Sequence, residues 1–501
     1  MKSISRFAAG LLLALSLLSC AENNGTDSAA TPDTTTGSGA ASTTETAAEF
    51  VARANAELRE LSRTGGAAQW VRATYITDDT AIIAAAASEE YAAWHSGIVQ
   101  QAKQYDDTEV DASTRRAIDL LKLGTSLPAP ADAAKRKELT LIATELEGMY
   151  GAGKYCPDGN DCKSLPELED VLANSRDVDA LQDAWQGWRS ISPPMRDKYR
   201  RFVELANEGA NELGYQDLGE MWRSNYDMSP AAFEQETARL WEQVTPLYDA
   251  LHCHVRARLG EAYGTDIVPQ DGPIPAHLLG NMWAQQWGFI YDLVEPYPGV
   301  GDLDVDSTLK TKQYTPQEMV RSAENFYVSL GMPRLPHTFW ERSQFTKPRD
   351  RDVVCHASAW GLDGGNDLRI KMCIKQTYDE LRTIYHELGH NYYQGAYKDQ
   401  PPLFQGGAHG GFHEAIGDTV TLSMTPDYLA EVGLVDATEE SEQAVINRQM
   451  QMALDKIAFL PFGKLIDEWR WGVFSGDIAP ADYNKAWWEM RTRYQGIAPP
   501  V

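Results

Sequence analysis

The chain has 501 residues, far more than one small core requires, and its 43% hydrophobic and 10% aromatic residues exclude global disorder. The formal net charge of −27 excludes a binder that tracks nucleic-acid phosphates, which needs a clustered basic face. The acidity reads first as a solvated surface.

Lys2 and Arg6 precede an apolar run over residues 8–18 that is too short to span a bilayer. It ends in Leu17-Leu18-Ser19-Cys20, a pattern that resembles a bacterial lipobox. Residues 1–19 are therefore expected to be a lipoprotein signal peptide. Cys20 would carry lipid and hold the exported chain to the bacterial cell envelope, with Ala21 pointing to the outer membrane. Residues 20–47 are rich in Ser, Thr, Ala and Gly and predict a flexible tether, leaving 48–501 as one large domain. Export means an oxidising compartment, where disulfides persist. Cys156 and Cys162 close a short loop and predict a pair, as do Cys355 and Cys373 across a Gly-rich segment. Cys253, between His252 and His254, is left over. Adjacent helical residues point to different sides, so no metal role is expected there.

From about Ala48 the pattern is helix after helix. A first amphipathic helix carries Leu58 and Leu61, and further helices are predicted over 112–123 and 133–150. Ser229-Pro230 is a cap followed by proline at the first helical position. It opens a helix to 263, whose apolar stripe would be Phe233, Leu240, Val244, Leu247 and Leu251, with a kink or break at Pro246. Thr315-Pro316 repeats the start signal. Helices are also predicted over 376–398, 411–424, 441–471 and 481–494. A small strand pair is expected around Val353-Val354 and Arg369-Ile370-Lys371. No internal repeat is visible. The fold class is mainly α with a minor short-strand element.

The strongest chemical signal is His386-Glu387-Leu388-Gly389-His390. Residues four apart share a helix face, so both imidazoles can reach one Zn²⁺, with Glu387 beside its open side as general base. Five of the ten histidines fall within 356–413. Glu414, on the segment GFHEAIGD, is the favoured third ligand, and His409 and His413 are its rivals. Asp418, four residues further on, can accept the outer N–H of a zinc-bound histidine. A third histidine close behind the motif is not met, because Tyr393 stands where the glycine preceding it should be.

The runs VCHASAW (354–360), HELGH, YKD (397–399), GFHEAIGD, HLLGNMWAQ (277–285), WRSNY (222–226) and WRWGVF (469–474) resemble the angiotensin-converting enzyme, or peptidyl-dipeptidase A, family from about residue 50 to the end. The resemblance implies a large two-lobed helical metallopeptidase with a deep central channel. It implies release of dipeptides from oligopeptides with a free C-terminus, one zinc ion per chain, and chloride as an activator. By position it gives His386, His390 and Glu414 as ligands and Glu387 as base. His356, the Ala357 backbone and Gln285 would bind substrate, and Arg189, Trp487 and Arg491 would bind chloride. Cys156–Cys162 and Cys355–Cys373 match family disulfides. It also implies further site residues beyond Val501, so the chain reads as C-terminally truncated. A monomer is expected, with no nucleic-acid partner. Rival readings are a zinc carboxypeptidase of different step size and a non-catalytic, zinc-holding, peptide-binding lipoprotein. An intact Glu387 argues against the latter.

Overall fold

The computed structural model describes residues 45–500, apart from 152, 158, 160, 161, 301, 302 and 437–440. The expected signal segment, Cys20 and the expected tether up to residue 44 lie outside the described residues. The chain is mainly α-helical, with a few short strands. Its described residues divide into two compact units, one within Met1–Gly124 and Asp304–Asp436, the other within Thr125–Leu303 and Ala437–Val501. No described helix is long and apolar enough to cross a membrane.

In the first unit, the opening helices Ala47–Thr74 and Asp78–Ala102 pack together. Each begins at a threonine whose hydroxyl accepts a backbone N–H: Thr46 from Glu49 and Thr77 from Thr80. The Thr315 signal is met by a capping box with Glu318 at the head of helix Pro316–Ser329. Thr377 caps helix Tyr378–Tyr397, where Asp379 and Glu380 favour the positive end of the helix dipole. That helix buries Leu381, Ile384, Tyr385 and Leu388. Tyr327, from the Pro316–Ser329 helix, donates to the Tyr385 carbonyl at 2.8 Å and locks the two helices together.

The strand pair is antiparallel, Ser358–Leu362 against Asp367–Lys371, from Ser358↔Lys371 to Leu362↔Asp367. Its first strand starts later than Val353-Val354. The Val354 N–H instead donates to the Ala73 carbonyl at 2.9 Å, and the Val354 carbonyl accepts from Lys371, so this stretch takes its partners outside the ladder.

In the second unit, helices Val178–Arg189 and Pro230–Tyr263 help enclose a core with Trp188, Tyr248 and Trp287 fully buried. Pro246 does not break its helix, which runs unbroken over 34 residues. The buried stripe there is Tyr248, Leu251, Val255 and Leu259. Leu240 and Leu247 are exposed; of the predicted stripe Leu251 is buried, and Phe233 and Val244 are half-buried, with Phe233 packed on Tyr226 and Trp471. The predicted helix 441–471 is interrupted by a wider π turn at Ala453–Ile457, and 481–494 ends in another at Arg491–Gln495.

Candidate metal centre and active site

The site residues of the first unit come from two helices and one strand edge. Helices Tyr378–Tyr397 and Gly410–Leu422 cross where two glycines meet. A Cβ at Gly389 would lie 3.0 Å from Gly417 Cα and 2.9 Å from the Tyr327 hydroxyl. This approach brings the first turn of one helix over the histidine pair of the other. His386 Nε2 lies 3.1 Å from His390 Nε2 and 3.3 Å from Glu414 Oε2, and His390 Nε2 lies 3.9 Å from Glu414 Oε1. One donor atom from each residue falls within 4.8 Å of the others, the one such group among the described residues. Tetrahedral zinc, with bonds of about 2.0–2.1 Å, separates its ligand atoms by about 3.3 Å, so these residues fit the ion.

Asp418 Oδ1 lies 3.4 Å from His386 Nδ1, on the outer side of that ring. Burial works against charge on His386, but Asp418, Glu414 and the Glu387 charge outweigh it and push the ring up to about 9. Burial and then the His386 charge pull His390 down to about 4. Glu387 is buried, and that burial pushes its carboxyl up to about 7 against the opposing pull of His386 and Lys371. The Ala359 N–H donates to this carboxylate.

His356 is exposed, and its Nδ1 lies 2.9 Å from the Ala357 carbonyl oxygen. The Cys355–Cys373 disulfide ties this segment to the chain just beyond the second strand. Lys371, buried on that strand, donates to the Val354 and His356 carbonyls at 2.8 and 2.5 Å. Sequence reasoning missed this lysine. Its one signal is its place two residues before a paired cysteine. His413 is not among the metal-facing donors: its nitrogens face His390 and Tyr397. The His409 ring packs on Phe412 and is not in the donor group.

The remaining candidates belong to the second unit. Gln285 is buried on an irregular segment rather than on a helix. Arg189 donates to the Trp185 and Met282 carbonyls at 2.7 and 2.8 Å, and its guanidinium lies over the Trp185 ring. Arg491 donates to the Trp283 carbonyl at 2.6 Å and sits 5.6 Å from the Trp487 ring. Its buried Nε has no partner among the described residues. Burial draws both guanidinium groups down to about 9, with Arg491 adding to the effect on Arg189, so both stay charged at neutral pH. Cys156–Cys162 is formed. Cys253 is exposed, and its neighbours His252 and His254 bond instead to the Gly496 and Val294 carbonyls.

Two histidines one turn apart, a glutamate from the next helix and a buried carboxylate between the histidines define the centre of a helical metallopeptidase. The family model described as angiotensin-converting enzyme matches residues 41–501, and the chain belongs to this family of zinc metallopeptidases. It is 42% identical over 466 residues to the angiotensin-converting enzyme of Bos taurus, covering 90% of this chain and 35% of the relative. To that of Theromyzon tessulatum it is 43% identical, covering 76% of this chain and 62% of the relative. To that of Haematobia irritans exigua it is 37% identical, covering 91% and 75%. The chain thus spans about a third of the length of the mammalian relatives it matches.

Proposed function

We propose that the chain is a zinc-dependent peptidyl-dipeptidase that removes dipeptides from the free C-terminus of oligopeptides. The observation that carries this reading is the triangle of His386, His390 and Glu414 donors with the buried Glu387 carboxylate on the intervening residue. His386, His390 and Glu414 would hold the ion, which when bound supplies Lewis-acid polarisation of a carbonyl and acidifies water. Glu387, steadied by the Ala359 N–H, takes a proton from the attacking water and delivers it to the departing amine nitrogen. Asp418 holds the outer nitrogen of His386. His356 and the Ala357 backbone bind the peptide in this reading, and Gln285, buried in the second unit, is a separate candidate for a peptide contact. Arg189 and Arg491, two charged groups with no carboxylate partner among the described residues, hold chloride beside Trp487. The apolar run over 8–18 and two disulfides support an exported protein, and the run Leu17-Leu18-Ser19-Cys20 supports lipid on Cys20 and a bacterial envelope in this reading.

The test is release of product from an N-blocked tripeptide, with and without a chelator, by the wild-type chain and Glu387→Gln. The expected result is chelator-sensitive release of an intact dipeptide, lost in Glu387→Gln while one zinc per chain remains bound. Undiminished hydrolysis by Glu387→Gln overturns the role of Glu387. Release of a single amino acid instead of a dipeptide replaces the step size.

A further inference from the structure

We propose that His413 is a positioning residue for His390 and that Tyr397 completes the chain of hydrogen bonds behind it. His390 Nδ1 lies 3.0 Å from His413 Nδ1, and His413 Nε2 lies 3.1 Å from the Tyr397 hydroxyl. Two facing Nδ1 atoms share one proton. For neutral His390 to offer Nε2 to a metal, that proton must sit on its own Nδ1. His413 Nδ1 is then the bare acceptor, and its proton sits on Nε2, aimed at the Tyr397 oxygen. The two imidazoles therefore have one consistent set of tautomers, and it is the set that leaves a bare His390 Nε2 facing Glu414 and His386.

The surroundings hold His413 in this place. His390, Tyr393 and Tyr397 lie three and four residues apart along one face of their helix. The Tyr393 ring packs on His413 with centroids 4.6 Å apart, and its hydroxyl accepts the Ala408 N–H at 3.1 Å. Gly407 closes the other side: a Cβ there would stand 3.0 Å from His413 Cδ2. The two histidine ligands are thus steadied by unlike groups, His386 by the Asp418 carboxylate and His390 by a neutral ring and a phenol. Outer partners of this kind are worth about 10–100-fold in metal affinity.

The inference rests on the metallopeptidase reading only in requiring His390 to be a ligand. The experiment measures zinc affinity by competition with a chromophoric chelator, and the visible spectrum of the cobalt(II)-substituted chain, for wild type, His413→Phe, His413→Asn and Tyr397→Phe. Phenylalanine keeps the ring volume without an acceptor, while asparagine places an oxygen near the lost Nδ1. The expected result is zinc binding weakened about 10–100-fold in His413→Phe with an altered cobalt spectrum. His413→Asn should recover most of the affinity, and Tyr397→Phe should lose a few-fold. Equal affinity in wild type and His413→Phe overturns the inference, and so does an equal loss in the Phe and Asn variants. If His413→Phe does not fold, an unchanged affinity and spectrum in Tyr397→Phe overturns the chain. A wild-type protein that binds no zinc overturns the metallopeptidase reading as well.

Discussion

Gly417 lies directly against the ring of His386: a Cβ at position 417 would stand 2.5 Å from His386 Nδ1 and 2.8 Å from its Cγ and Cε1. The same glycine backbone meets Gly389 across the helix crossing. The distance from Glu414 to the histidine pair therefore depends on two missing methyl groups.

Gly417→Ala tests this dependence. In a helix interior, alanine is normally favoured over glycine by about 1 kcal/mol. Here the contact with His386 outweighs that gain, because the ring is pinned by Asp418 and Glu414 and cannot retreat without leaving the donor set. The expected outcome is a folded chain whose zinc affinity falls by at least about 10-fold, the scale of a displaced ligand support. Gly97→Ala, in a helix with open space around the glycine, serves as the control and should leave zinc binding unchanged. Chelator competition on both variants checks it, and unchanged affinity in Gly417→Ala sinks the idea.

Lys371 carries a second prediction. Its ammonium turns the Val354 and His356 carbonyls inward, fixing the segment that bears His356 and Ala357, and it is one of the two cationic groups that oppose protonation of Glu387. Burial holds it down to about 8, so it remains mostly charged at neutral pH. Lys371→Met should keep zinc bound, since the lysine touches no metal-facing donor, while dipeptide release falls by up to about 100-fold, the scale of a small misplacement of reacting groups. Steady-state kinetics alongside zinc stoichiometry separate the two. Wild-type kcat and KM in this variant would remove Lys371 from the site.

The local parts of this site were legible in the sequence, and the contacts between distant segments were not. A spacing of four on a helix put His386 and His390 on one face, and Thr-Pro and Ser-Pro starts located helices to within a residue, because both signals act within one turn. Glu414 could be named as a ligand from its distance along the chain and from the family motif. His413 could be named only as a rival ligand, since nothing local says that its ring turns to the outer face of His390. The stripe around Leu240 and Leu247 misled for a related reason: the first half of that long helix is only partly covered, at Phe233 and Trp241, and full burial begins at Tyr248. The short strands failed at Val353-Val354, where a buried lysine and a distant helix end, rather than a ladder, take the hydrogen bonds.

His277, inside the motif HLLGNMWAQ, gives a prediction for the second unit. Its ring is 3% exposed, and neither nitrogen has a hydrogen-bond partner among the described residues. Burial alone pulls its pKa down to about 4. The unfolded chain, with a histidine pKa of about 6.5, binds the proton first as the pH falls. The neutral ring therefore contributes its full share of stability above pH of about 6.5. That share is lost progressively down to about 4, at no more than about 1.4 kcal/mol per pH unit and about 3 kcal/mol in all. His277→Leu keeps the site apolar and removes the titration. Unfolding midpoints measured for both proteins at pH 7.5 and pH 5 should show the wild type losing more stability than the variant on acidification. Parallel losses in the two proteins would mean that the His277 ring is solvated or partnered in solution and that the acid sensitivity of this unit arises elsewhere.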